Sequence, residues 1–184
     1  MQVHLDDWLH DPTVRTYHRR DAAASPDALW AAARGVRLNE THVLGRLVRW
    51  RLPGTPGDAT FTEVFSRYPF VVLDAGEHHL VSGLCGRIWT LVRDYPRIES
   101  PEGFAAWDEP GTVKVVFGHW VAPDGDGRAE LVSEARVQPI DRGAGLRLRA
   151  LWAMVSQFER LIGAEPLPIA VRRAESAALE SRER

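Results

Sequence analysis

Residues 130–152 read ELVSEARVQPIDRGAGLRLRALW, and the hydrophobic period changes within them. Leu131, Ser133, Ala135 and Val137 alternate with Glu130, Val132, Glu134, Arg136 and Gln138, the two-residue period of a strand. From Asp141 the period becomes helical: Ala144, Leu148, Leu151, Val155, Phe158 and Ile162 fall on one stripe, with Trp152 alongside. Asp141 is the expected cap. Gly163 and Pro166-Leu167-Pro168 are expected to break the helix before a short second helical piece, and the charged tail ESRER to fray. A strand feeding directly into a long amphipathic helix leaves that helix's stripe to be buried, and the sheet's inner face is the nearest partner.

Upstream, TVKVVFGHWVAP (112–123) reads as a long strand, joined to the next by a DGDG turn whose residues tolerate positive φ. Val113, Val115, Phe117, His119 and Val121 share one face of it; Lys114, Val116, Gly118 and Trp120 share the other. The more apolar sets are expected to face the helix, which places His119 and Ser133 inside. FVVLDA (70–75) and HHLVSGLCGRIW (78–89) flank Gly76-Glu77 as a hairpin, and GFAAWDEPG (103–111) reads as a short strand ending in a turn. Before these, LPGTPGD (52–58) stops a helix whose Val43, Leu47 and Trp50 lie on one face, with Asn39 as cap candidate. Ser25-Pro26-Asp27 is a helix start followed by Leu29, Ala32, Ala33 and Val36, and VRTYHRRDAA (14–23) is a first strand rich in charge, as an edge strand is. The fold class is therefore α+β, an antiparallel sheet with helices on one side.

Composition narrows the function. The chain has 184 residues, 45% hydrophobic and 26% charged, an ordinary globular mix that excludes wholesale disorder. A net charge of −2 argues against a dedicated nucleic-acid binder. Of 23 basic residues only Lys114 is a lysine, which together with abundant Ala looks like the coding bias of a GC-rich bacterial genome. Cys85 is the single cysteine, so no intramolecular disulfide forms. MQVHLDDWLHDP carries acids where a signal peptide carries basic residues and an apolar run, and no stretch is long and apolar enough for a membrane span. A cytoplasmic protein is the expectation.

The element order, with the Ser-Pro-Asp start at 25–27, GLCGRIW at 83–89, FAAWDEPGTVKVVF at 104–117 and the passage at 130–152, resembles the helix-grip, START-like fold of the SRPBCC superfamily. It is similar to bacterial, polyketide cyclase-like members. The resemblance implies one domain over 1–184 with its core in 14–163, a curved antiparallel sheet wrapped around a long C-terminal helix, and an elongated cavity between them. The superfamily has no universal catalytic motif, so no residue's role transfers.

The implied function is binding of a hydrophobic or aromatic small molecule, lipids included, in that cavity. Candidate ligand-binding residues are His119, Ser133, Phe117, Trp89, Trp107 and Trp152: an imidazole and a hydroxyl to orient a ligand oxygen, and flat aromatic walls. An enzyme of the cyclase or dehydratase type is the alternative, pairing His119 with Ser133, Tyr17 or Glu134 as acid and base. A third reading is an interaction module that homodimerises through Val116 and Trp120 on an open outer face. Glu134 and Arg136 read as a surface pair, and Arg46, Arg49 and Arg51 as a solvated helix face. Cys85 lacks the glycine spacing of a nucleophile elbow and reads as a small buried strand residue. His78 and His79 point to opposite faces, and His4, His10, His18 and His42 show no ligand spacing, so no metal is expected. Gly143-Ala144-Gly145 lacks the residues of a phosphate loop, and no cofactor is expected.

Overall fold

A computed structural model describes residues 3–90, 95–155 and 164–182. Strands β1 (Val14–Ala22), β2 (Val71–Gly76), β3 (His79–Gly86), β4 (Val113–Pro123) and β5 (Ala129–Pro139) form one five-stranded antiparallel sheet in the order β1-β5-β4-β3-β2. The chain's first strand thus pairs with its last, and β1 is an edge, as its charge suggested. The β4–β5 hairpin turns through Gly125, Asp126 and Gly127, all at positive φ. Register then follows residue by residue from Val113 opposite Pro139 to Pro123 opposite Ala129.

Helix α1 (Pro26–Arg34) starts as its sequence dictates: the Ser25 hydroxyl accepts the Ala28 N–H, and Pro26 occupies the first turn. Helices α2 (Val43–Arg51) and α3 (Phe61–Phe65) follow. Gly45 is required where α2 crosses the turn at Leu38–Glu40, because a Cβ there would lie 2.0 Å from the Leu38 carbonyl oxygen. The Asn39 cap is not used. The α2 N-terminus is instead capped from far along the chain by the carboxylate of Glu165, which accepts from the N–H groups of His42, Val43 and Leu44.

Two expectations are corrected. The stretch at 103–111 contains no strand: Pro101–Ala105 is a short helix, α4, because Ser100-Pro101-Glu102 repeats the cap-and-proline signature and the Ser100 hydroxyl accepts the Gly103 N–H. The second C-terminal helical piece is not short. After α5 (Arg142–Val155), helix α6 runs from Pro166 to Arg182. Its prolines fall in the first turn, where no intrahelical donor is needed, so they open this helix. Phe158 and Ile162, the end of the expected stripe, lie outside the described residues.

The grip on the sheet is shared between these helices. Ala144 and Leu148 of α5 are buried, Leu148 among Val14, Val113, Val115 and Val137 at one end of the helix-facing side. At the other end Leu167, Ala170 and Ala174 of α6 are buried with Leu29 and Trp30 of α1 over Leu80, Val121 and Leu131. Their small alanines face Ala28, Ala32 and Ala33 of α1, which lets the two helices approach closely.

The reverse side of the sheet is not open. The segment around Leu5 and Leu9 lies across it together with Phe104 of α4, sealing Val81, Cys85 and Val116. Gly118 makes room for Leu5, whose Cδ2 would stand 2.9 Å from a Cβ at that position. No helix among the described residues is long and apolar enough to cross a membrane.

Candidate functional site

Between the helix-facing side of the sheet and the helices lies a cavity of about 240 Å³. Its floor is Phe117, His119, Leu131, Ser133 and Ala135; Trp30, Phe61, Phe65, Trp152, Leu167 and Ala170 form the walls. The exposed Arg34, at the end of α1, marks its rim together with Leu44 of α2.

Strand register decides which polar groups meet there. His18 stands opposite Ser133, and Ser133 opposite His119, so an imidazole, a hydroxyl and a second imidazole form one row across β1, β5 and β4. Adjacent strands are about 4.8 Å apart, so a ligand oxygen above the row lies within reach of more than one member. Thr16, one rung along, adds a second hydroxyl.

His119 is the most constrained of these groups. Its ring packs against Phe65 with centroids 4.8 Å apart, and Phe65 also packs on Phe117 at 5.1 Å. Nε2 is buried and has no hydrogen-bond partner among the described residues. Burial in these apolar surroundings pushes the imidazole down to about 4, so the ring is neutral near pH 7. A neutral imidazole offers one donor and one acceptor and carries no charge to desolvate when an apolar guest enters.

Of the sequence candidates, His119, Ser133, Phe117 and Trp152 line this cavity. Trp89, like Trp152, packs against the adjoining cluster but is not on the wall. Trp107 is on the other side of the sheet, near Leu5 and Phe104, where its Nε1 donates to Thr112 Oγ1 at 3.0 Å. The helix formed at 101–105 carries it there. His18, set aside for want of ligand spacing, lines the cavity; the pairing of β1 with β5, which no single strand announces, brings it in.

The other side of the sheet corrects several readings at once. Glu134 and Arg136 do pair, but in the interior: they are 3% and 5% exposed, with Arg136 Nε donating to Glu134 Oε1 at 2.6 Å. Arg15 Nε donates to the same oxygen at 2.8 Å, while Arg136 Nη1 reaches Asp6 Oδ1 at 2.6 Å and the Leu9 carbonyl at 2.8 Å. Burial works against the Arg136 charge, yet the bonds to Glu134 and Asp6 outweigh it and hold the guanidinium above its ordinary range. The Arg136 hydrogen bond in turn lowers the Asp6 carboxyl. Tyr17 and Glu134 therefore face away from His119 and cannot serve it as acid or base. Val116, expected on an open face, is fully covered, and Trp120 packs in the same cluster.

Cys85 is buried, which pushes its thiol up to about 12 and leaves it unreactive. His79 bonds Asp74 at 3.0 Å. His78, Asp27 and Glu77 bring ligand-type atoms within 4.8 Å of one another at the surface, but His78 is already bonded to Asp27 at 2.6 Å.

The layout is that of the helix-grip fold. No family model matches the chain, and no curated protein matches it. Solved structures are similar to it at low identity. Norcoclaurine synthase from Thalictrum flavum is 16% identical with a TM-score of 0.37, over 91% of this chain and 87% of that one. Zhui aromatase/cyclase from a Streptomyces species is 15% identical with a TM-score of 0.36, over 90% and 95%. A hypothetical protein from Helicobacter pylori is 8% identical with a TM-score of 0.39, over 92% and 93%. No residue's role passes from them to this chain.

Proposed function

We propose that the chain binds an apolar or aromatic small molecule carrying at least one oxygen, held between the sheet and helices α1, α3, α5 and α6. The observation that carries this reading is the His18–Ser133–His119 row on the floor of an otherwise apolar cavity, with the His119 Nε2 unpartnered among the described residues. A buried polar atom without a partner costs about 1–3 kcal/mol, which a ligand that supplies the partner recovers. Aromatic walls at Phe65, Phe117 and Trp152 suit a flat or greasy guest, whose affinity draws on burial at about 25 cal/mol per Å².

Native mass spectrometry of gently purified protein, followed by a screen of fatty acids and polyphenols, tests this. A retained or added guest that is lost in Ala135→Phe, which fills the floor, supports the reading. Protein that is always empty and binds nothing tighter than millimolar overturns it.

A dehydratase or cyclase activity is the second reading, favoured by the presence of two imidazoles rather than one. His18 would take the proton from carbon as general base and return it to the departing oxygen, which leaves as water, while the neutral His119 ring would hold that oxygen by a hydrogen bond. Loss of turnover with retained binding in both His119→Gln and His18→Gln separates it from simple carriage.

A further inference from the structure

Helix α2 is built back to front for a core element. Its Val43, Leu47 and Trp50, spaced to form one stripe, are 40%, 38% and 62% exposed. The opposite side does the packing: Gly45 sits on the Leu38 turn, and Val48 and Leu52 pack with Leu38, Ala59 and Val64. Among the described residues nothing covers the outward stripe. Exposed apolar side chains in an ordered row mark a surface that something covers.

The charges beside the stripe say what covers it. Helix α2 contains Arg46, Arg49 and Arg51 and no acid. At about 100° per residue Arg46 falls on one shoulder of the stripe, while Arg49 and His42 lie further round, where Arg49 Nε donates to the Gly45 carbonyl at 3.3 Å. Arg51 falls on the other shoulder, where it stacks on Tyr95 at 4.9 Å. Glu165, at the helix start, is turned onto backbone N–H groups. Apolar residues with Trp at the centre and arginines on the shoulders match a bilayer interface, where rings sit among headgroups and guanidiniums meet phosphates. A second copy fits poorly, because a two-fold contact through this helix would set one basic shoulder against another without an acid between them.

We infer that the outer face of α2 docks on a lipid bilayer carrying anionic headgroups. The proposal does not depend on what the cavity holds. The adjacency is nonetheless direct: Leu44, next to Val43, belongs to the cavity rim.

Flotation with vesicles tests it, using phosphatidylcholine alone and phosphatidylcholine with phosphatidylglycerol at about three to one. The full chain is expected to bind the anionic vesicles about tenfold more than the neutral ones. Leu47→Ser/Trp50→Ser should lower that binding about tenfold and Arg46→Gln about fivefold, with unchanged thermal unfolding because all three positions are exposed. A blue shift of tryptophan emission on the anionic vesicles should disappear in Trp50→Ser. Equal binding to both vesicle types, or binding untouched by either variant, overturns the proposal. So does a dimer in sedimentation that Trp50→Ser dissociates, since the stripe would then belong to a second copy.

Discussion

Ser133 and Glu134 are neighbours in β5, and they enter two different interiors. On the reverse side of the sheet, the charges of Arg15, Glu134, Arg136 and Asp6 find one another within the chain, and Leu5, Leu9 and Phe104 close over the surrounding apolar surface. On the helix side, His119 has an unpartnered nitrogen among the described residues, and space remains above it. One interior is satisfied by the protein's own groups; in the other, the proposed guest would supply the missing partner. A buried polar group thus points to function when its partners are missing, not merely because it is buried.

Four measurements sharpen or break that contrast. The largest effect is expected from Arg136→Leu, which leaves buried Glu134 with Arg15 alone and removes the tie to Asp6 and Leu9. Urea unfolding should show a loss of about 3–5 kcal/mol. A loss below 1 kcal/mol would mean that the pair is not structural.

His119 comes next. Its folded value of about 4 lies below the ordinary 6.5, so the unfolded chain takes up a proton first as the pH falls. The associated stability is complete above pH 6.5 and drains away down to about 4, amounting to about 3 kcal/mol. In His119→Phe this part of the acid dependence should vanish, while stability at pH 7 stays equal or rises. An unchanged pH profile would place the imidazole in water.

Ser133→Val is expected to alter stability by under about 1 kcal/mol, yet to weaken an oxygen-bearing guest about tenfold as read by calorimetry. The smallest effect is expected from Gly118→Ala, which pushes against Leu5. About 1 kcal/mol should be lost in thermal unfolding, with guest binding unaffected, because Gly118 belongs to the other interior.

Much of this division is legible in the residues. Alternation in 113–121 and 131–137 correctly separates the two faces, and the Ser25-Pro26 and Asp141 signals start real helices, with Asp141 Oδ1 accepting the Ala144 N–H. What alternation does not contain is the partner strand. His18 reaches the cavity only because β1 pairs with β5, a contact spanning more than a hundred residues, and the same pairing brings Arg15 to Glu134. Glu134 and Arg136 read as surface groups because nothing local says that Leu5 and Leu9 will cover them. Trp107 belongs to the other side because Ser100-Pro101-Glu102 starts a helix just where 103–111 reads as a strand, a signal that is itself local. Val43, Leu47 and Trp50 share a face as their spacing says, but spacing does not tell which way a face points.

The hairpin turn at Asp124–Gly127 holds one further consequence. Its length sets the parity of β5 against β4, and parity is a two-valued quantity. Deleting a single residue there would slide the ion pair toward the hollow and send the serine beneath the amino-terminal strap, exchanging the linings of both compartments. Removing or adding two would restore each lining to its own side, so tolerance to length changes at this bend should alternate between odd and even.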